Sequence, residues 1–133
     1  MTDKNIPGEP GNNLWEEAQE QNTFQEKLLK HIINKGMNNT EFYKAARIDR
    51  KLFYAMRSNR MYQPKKETAV ACCFGLHLTL PEARDLLRAA GYSLSPAITW
   101  DRVIYYCLEN GIYDIDRVND LLTARGERGL RAL

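Results

Sequence analysis

The sequence predicts a single all-helical domain, and three observations lead to that prediction. From residue 23 onward, apolar residues recur at spacings of three and four, as they do on the buried face of a helix. Capping residues precede these runs, and Gly or Asn-Gly follows them. No segment alternates polar and apolar residues between strand-type turns, so we predict no sheet. A chain of 133 residues is long enough to bury a core of its own.

The polar beginning of the chain sets the expected domain boundary. Residues 1–13 are polar and rich in Gly and Pro, which is typical of a disordered arm. We expect residues 14–133 to form one helical domain. Its first element would be a short acidic helix at residues 14–21, with Leu14, Trp15 and Ala18 on one side.

The next two helices are predicted from their capping residues. Thr23 and Glu26 have the spacing of a capping box, which starts a helix. Gly36 ends that helix in a left-handed conformation. Asn39 or Thr40 then caps a short second helix. The predicted inner faces are Phe24, Leu28, Leu29, Ile32 and Ile33 in the first helix, and Phe42, Tyr43 and Ala46 in the second.

A turn at Arg47 and Ile48 leads to two further helices. Asp49 can cap the third helix because its carboxylate can accept from free backbone amides. Residues 59–63 read as a loop, and Pro64 is predicted to begin the fourth helix, where its missing amide costs nothing. The predicted inner residues are Leu52, Phe53 and Met56, then Val70, Cys73, Phe74 and Leu76.

Three more helices complete the predicted domain. Thr79 and Glu82 form a second capping box, with a proline inside the first turn of the fifth helix. Thr99 or Asp101 begins the sixth helix, and Asp114 begins the seventh. The helices end at Gly91, Asn110-Gly111 and Gly126, and their apolar positions are Ala83, Leu86, Leu87 and Ala90, then Val103, Ile104, Cys107 and Leu108, then Ile115, Val118, Leu121 and Leu122.

The centre of the chain resembles a known family. Residues 40–48, 49–59 and 64–87 follow the pattern of phage-repressor-like (Xre) helix-turn-helix proteins: a short helix, a turn ending in an aliphatic residue, a recognition helix, a basic loop and a Pro-started helix. Residues 62–68 (YQPKKET) and 75–83 (GLHLTLPEA) are similar to the family's segments on either side of its fourth helix. The resemblance covers residues 23–91 and leaves residues 92–133 as a C-terminal helical extension.

The resemblance implies a DNA-binding transcriptional regulator that reads duplex DNA with the helix at residues 49–59. A dimer is expected, because one helix-turn-helix reads few base pairs and symmetry doubles the contacts. The chain departs from the family at Tyr43, where Ala is usual, and at Arg47, where Gly is usual. Asn39 or Thr40 stands where the family has Gln. The two larger side chains predict a wider helix crossing than in the DNA-binding members.

Charge is distributed very unevenly although the net charge is only +2. Residues 1–26 hold six acidic side chains and one lysine, a net charge of −5. Residues 44–66 hold eight cations and one acid, a net charge of +7. A basic block on a helix-turn-helix favours nucleic-acid contact, although such a block can also simply solubilise an exposed helix.

The candidate DNA-binding residues divide into two groups. Arg50, Lys51 and Tyr54 share the outward face of the third helix, where recognition helices contact base edges. Phosphates need charge more than exact geometry, so they suit the remaining cations, Arg57, Arg60, Lys65 and Lys66.

A different function is also compatible with these residues. Tyr43, Arg47 and the C-terminal extension favour a non-enzymatic protein–protein interaction module that kept the fold. The basic face would then bind an acidic protein partner or the chain's own acidic N-terminal arm. Four aromatic residues could form a surface for a second subunit, or half of them lie in the core and the rest are half-buried: Trp100, Tyr105, Tyr106 and Tyr113.

No motif in the sequence indicates catalysis, so we predict that the protein is not an enzyme and uses no cofactor. His31 and His77 lack neighbours at metal-ligand spacing, which predicts no metal site. Three cysteines, Cys72, Cys73 and Cys107, are expected to be buried thiols. The chain shows no signal-peptide pattern and no apolar run of membrane-spanning length, so a cytoplasmic location is expected.

Overall fold

This computed structural model describes residues 22–131, which contain seven helices joined by turns and loops. No strand occurs among these residues, and the predicted all-helical fold is confirmed. The predicted arm at residues 1–13 and the predicted acidic helix at residues 14–21 lie outside the described residues. The helices are α1 (Phe24–Asn34), α2 (Asn39–Ala45), α3 (Arg50–Ser58), α4 (Lys66–Gly75), α5 (Leu80–Ala89), α6 (Thr99–Glu109) and α7 (Ile115–Ala124).

Helix α4 lies at the centre because six consecutive residues, from Ala69 to Phe74, are apolar and so leave no polar side. Every residue from Thr68 to Gly75 is buried, including two of the three cysteines. The helix packs against α2 and α5. At Gly75 the approach of α2 is so close that an added Cβ would lie 2.7 Å from Ala46 Cβ. Only glycine fits there, since the obstructing atoms include the Ala46 backbone.

The other helices surround α4 in a way that leaves α3 at an edge. Helix α1 packs against α5 and α3, α5 packs against α6, and α6 packs against α7. The principal contacts of α3 are with α1 and α2. Phe53 anchors it, with its ring centroid 5.5 Å from that of Phe42. One face of α3 is therefore held in the core, and the opposite face is left uncovered by the described helices.

Most predicted helix ends are confirmed, because capping depends on residues only a few positions apart. Both predicted capping boxes form, at Thr23 and Thr79, and Asp49 and Asp114 cap α3 and α7. Thr99 begins α6, one of the two residues predicted to do so. The left-handed conformation predicted for Gly36 is confirmed, and the glycines predicted to end α5, α6 and α7 also have positive φ: Gly91, Gly111 and Gly126.

The predicted cap of α2 was wrong by one residue. Asn38, rather than Asn39 or Thr40, is the capping residue, and its side chain accepts a hydrogen bond from the amide of Glu41 at 2.8 Å. The Glu41 carboxylate in turn accepts from the Asn38 amide at 2.9 Å. This reciprocal pair satisfies two amides at once, which favours Asn38 over its neighbours.

Two other expectations are corrected by tertiary contacts. Helix α4 begins at Lys66 rather than at Pro64. Pro64 is buried, and its carbonyl accepts a hydrogen bond from the Tyr92 hydroxyl at 2.7 Å, which ties the preceding loop to the end of α5. Ile33, expected on the inner face of α1, is 76% exposed because the buried stripe of that helix is narrower than the apolar pattern.

None of the helices in residues 22–131 is both long and apolar enough to cross a membrane.

Candidate nucleic-acid interface

The outward face of α3 is defined by the residues that anchor its inner face. The Asp49 carboxylate accepts from the backbone amides of Lys51 at 3.0 Å and Leu52 at 3.4 Å, which fixes where the helix starts. Phe53 and Met56 are fully buried. Helical periodicity then directs the remaining side chains away from the core, and four of the predicted DNA-binding residues are exposed there: Arg50, Lys51, Tyr54 and Arg57.

Arg50 and Tyr54 lie one turn apart and interact. The Arg50 guanidinium carbon lies 5.7 Å from the centroid of the Tyr54 ring. The Tyr54 ring meets the buried Phe53 ring edge-on, with centroids 5.2 Å apart, and remains 39% exposed. A cation held over an aromatic face gains about 0.5–1 kcal/mol at an exposed site. The pair therefore orders the guanidinium near the N-terminal end of α3.

Arg57 and Arg60 lie where α3 meets the start of α1. The Gln25 side-chain amide donates to the Arg57 carbonyl at 2.6 Å, so the Arg57 backbone is held while its side chain is exposed. Arg60 Nε lies 2.7 Å from a Glu26 carboxylate oxygen. The hydrogen bond from Arg60 is the largest cause of the lowered pKa of Glu26, ahead of the Thr23 amide. Arg60 is thus engaged within the chain.

Lys66 is also engaged, and its partner is a buried acid. The Lys66 ammonium lies 3.0 Å and 2.9 Å from the two carboxylate oxygens of Asp101, which is 2% exposed. The backbone amide of Ser95 donates to the same carboxylate at 2.8 Å. Lys66 therefore joins α4 to the first turn of α6. Lys65, its neighbour, is exposed and makes no side-chain cap.

The turn before α3 contains a second paired cation. Arg47 has a φ of 58°, the left-handed conformation that usually belongs to glycine. Its guanidinium lies 2.9 Å from Asp116 on α7. This hydrogen bond raises the pKa of Arg47 and lowers the pKa of Asp116. The side chain is directed toward the C-terminal extension, while the Tyr43 ring packs 5.7 Å from that of Phe53.

Three cations of the basic block are paired with acids, and five are not. Arg47, Arg60 and Lys66 form ion pairs. Within residues 22–131, no carboxylate lies at ion-pair distance from Lys44, Arg50, Lys51, Arg57 or Lys65. Sequence reasoning missed this division because the partners are distant in the chain: Glu26 is 34 residues from Arg60, and Asp101 is 35 from Lys66.

The aromatic candidates of the C-terminal extension are mostly held in contacts within the chain. Trp100 donates from its indole to the Arg128 carbonyl at 2.9 Å, and Tyr113 donates from its hydroxyl to the Leu78 carbonyl at 2.8 Å. The Arg84 guanidinium lies over the half-buried Tyr105 ring. Tyr106 differs, because it is 53% exposed on α6.

The cysteines are buried, and the histidines belong to no metal-binding cluster among the described residues. All three thiols are buried, as predicted, and burial raises the pKa of each, for Cys107 to about 11. A protonated, inaccessible thiol is a poor nucleophile. His77 stacks on Tyr113 with ring centroids 4.6 Å apart. Among the described residues, no three His, Cys, Asp or Glu side chains are grouped so that they can hold a metal ion.

The sequence matches no protein-family model, and neither a curated protein nor a solved structure is significantly similar to it.

Proposed function

We propose that this protein binds duplex DNA with α3 and acts as a transcriptional regulator in the cytoplasm. One observation carries the proposal. None of the three cations on α3 has a carboxylate partner in residues 22–131, whereas three of the five cations that flank the helix, Arg47, Arg60 and Lys66, are paired. The unpaired positive charge is thus concentrated on the one helix that the resemblance makes the recognition helix.

The position of α3 suits entry into a major groove. Its principal packing partners are α1 and α2, and its outward face carries no acidic side chain. Arg50 and Lys51 lie in its first turn, where the helix dipole adds positive potential. Recognition helices contact base edges with these N-terminal residues. Asp49 is no obstacle, because its carboxylate is engaged by two backbone amides.

Exposure and ion pairing support a division of the candidate residues by role. In the proposed complex, Arg50, Lys51 and Tyr54 contact base edges, and Arg57 and Lys65 contact phosphates. Arg60 and Lys66 are left out of the interface because each is tied to an acid within the chain. Arg47, which stands where the family usually has Gly, has a φ of 58°, a conformation that glycine adopts freely, and this backbone is compatible with the proposal.

The test is a titration with pooled random duplex DNA at two salt concentrations. The observed affinity should fall with salt, with a logarithmic slope of about −0.9 for each phosphate contacted. Arg50→Ala should weaken binding to a selected site by about 1–3 kcal/mol and blur discrimination at one base pair. Lys65→Ala should weaken binding to all sequences and reduce the slope by about one phosphate contact.

Lys30→Ala is the matched control, because Lys30 is an exposed cation on α1 outside the proposed interface. It should leave both affinity and slope unchanged. Absence of binding at low salt would refute the proposal. Equal, purely salt-dependent losses for Arg50→Ala, Lys65→Ala and Lys30→Ala would reduce the basic block to a general electrostatic surface.

A second candidate function is a protein–protein interaction module, and exposed groups on α6 favour it. Tyr106 lies between two surface grooves of about 340 Å³ and 420 Å³ and contributes to the lining of both. Ile98, just before α6, is 50% exposed. The same surface would serve a homodimer. Light scattering should then report a dimer that Tyr106→Ser converts to a monomer, and an unchanged mass would count against this use of α6.

A further inference from the structure

The uncovered face of α3 carries several positive charges that solvent can reach. Arg50, Lys51 and Arg57 are exposed on this face and have no carboxylate at ion-pair distance in the described part of the chain. A nine-residue helix is about 13 Å long. Three cations within that length create a positive potential that an acidic segment would neutralise.

The first described residues lie close to the end of α3, and an acidic segment precedes them in the sequence. At the start of α1, Gln25 donates to the Arg57 carbonyl at 2.6 Å, and Glu26 pairs with Arg60 at 2.7 Å. Both partners belong to the C-terminal end of α3 or the loop after it. The described part of the chain therefore begins near the last turn of α3.

Residues 14–20 have the composition and the reach to cover α3. Their sequence, LWEEAQE, contains three glutamates and no cation. Seven residues span about 24 Å when extended, more than the length of α3, whereas the helix predicted for this segment would span only about 10 Å. The proposed contact therefore requires the extended form. A segment that runs from the last turn of α3 toward its first turn brings its carboxylates to the positive end of the helix dipole. Trp15 can pack on the Arg50–Tyr54 pair, since aromatic rings and guanidinium groups attract.

We propose that residues 14–20 bind along the outward face of α3, with their three glutamates opposite its three unpaired cations. The segment then covers the surface that the proposed function assigns to DNA, and the two compete for it. Only this competition depends on the proposed function. The intramolecular contact itself can be measured without DNA.

Fluorescence of Trp15 tests the contact directly. Trp15 and Trp100 are the two tryptophans of the chain, so Trp100→Phe leaves Trp15 as the reporter. If Trp100→Phe unfolds the protein, the Trp15 fluorescence can instead be obtained by subtracting the fluorescence of Trp15→Phe from that of the unmodified protein. Charge attraction between exposed groups is strong at 10 mM salt and largely screened at about 1 M. Acrylamide should therefore quench Trp15 about twofold more strongly at high salt than at low salt.

Two charge-matched variants locate the contact. Arg50→Glu/Lys51→Glu/Arg57→Glu should abolish the protection of Trp15 at low salt. Arg84→Glu/Arg117→Glu/Arg125→Glu changes the net charge equally on α5, on α7 and at the end of α7, and should preserve it. Salt-independent quenching of Trp15, identical behaviour of the two variants, or protection that vanishes on dilution would each overturn the proposal. Loss on dilution would indicate contact between separate copies.

The competition is tested with Glu16→Gln/Glu17→Gln/Glu20→Gln. If the segment covers α3 in about 90% of molecules, this variant should bind pooled duplex DNA about tenfold more tightly at low salt. Unchanged affinity in a chain that does bind DNA would refute the competition. If Trp15 is protected but no variant binds DNA, the proposed function fails and the intramolecular contact remains.

Discussion

The ion pair between Lys66 and Asp101 gives the sharpest test of the structure. We expect Lys66→Met to destabilise the domain strongly, because it leaves a carboxylate that is 2% exposed without its cation. Removing one partner of a fully buried pair costs about 3–5 kcal/mol. The Lys66 side chain is 30% exposed, and the Ser95 amide continues to donate to Asp101. Water and this amide should reduce the expected loss to about 2–3 kcal/mol.

The assay is thermal unfolding followed by circular dichroism, with urea unfolding as a second measurement. For a domain of this size, such a loss lowers the melting temperature by about 10 °C. Lys65→Met is the matched control, because the Lys65 side chain is next to Lys66 in the sequence but is exposed and makes no capping hydrogen bond. The control should melt within about 2 °C of the unmodified protein, as surface substitutions usually do.

A double-mutant cycle then separates charge from packing. Asp101→Asn keeps an acceptor for the Ser95 amide and removes the buried charge. With Asn at position 101, Lys66→Met should cost only about 0–1 kcal/mol more, because no charge is left unpaired. If Lys66→Met melts like Lys65→Met, or costs the same with Asp or Asn at position 101, the reasoning is refuted.

Three further predictions concern close packing, backbone strain and protonation. Gly75→Ala should destabilise the domain by about 1–3 kcal/mol in urea unfolding, because the new methyl group would meet the backbone of Ala46; an unchanged midpoint would contradict the close approach. Arg47→Gly should be more stable than Arg47→Ala by about 1 kcal/mol in thermal melts. Both variants lose the ion pair, but only Gly adopts a φ of 58° without strain. Equal stability of the two variants would contradict the left-handed turn. Burial lowers the pKa of His31, so the free energy of unfolding should decline as pH falls below 6.5, where the unfolded chain takes up a proton before the folded one. His31→Gln should remove that decline. If the variant and the unmodified protein show the same pH profile of stability, the prediction is wrong.

The local features of the fold were predictable from the sequence because their causes lie within a few residues. Both predicted capping boxes, the aspartate caps and the helix-ending glycines involve partners no more than one turn away. Asn38 and Glu41 also have the three-residue spacing of a capping box, so the cap of α2 was predictable from the sequence, although the cap was predicted at Asn39 or Thr40. For α4 the sequence predicted an inner face of Val70, Cys73, Phe74 and Leu76, but not that the helix would be central and buried on every side from Thr68 to Gly75.

The candidate interface was only partly predictable. The asymmetry of charge and the helical spacing placed Arg50, Lys51 and Tyr54 on one exposed face, where the structure has them. Nothing in the local sequence distinguished Lys65 from Lys66, although one is exposed and the other is paired with a buried acid. The exposure of Ile33 was also not predictable from the sequence. The spacing of apolar residues shows which face of a helix is buried, but not how wide a stripe of that face the neighbouring helices cover.

By itself, the sequence determined the helical class, the order of the helices, most of their ends and the segment that carries the positive charge. Each of these follows from local periodicity, backbone conformation and nearest-neighbour hydrogen bonds. Only the tertiary structure decided which cations are available to a partner. Their availability depends on acids such as Asp101 and Asp116, which lie far along the chain and reach Lys66 and Arg47 only after α6 and α7 pack onto the core. The sequence shows how many cations a segment contains, whereas the packing of the helices determines how many of those cations remain without an acidic partner.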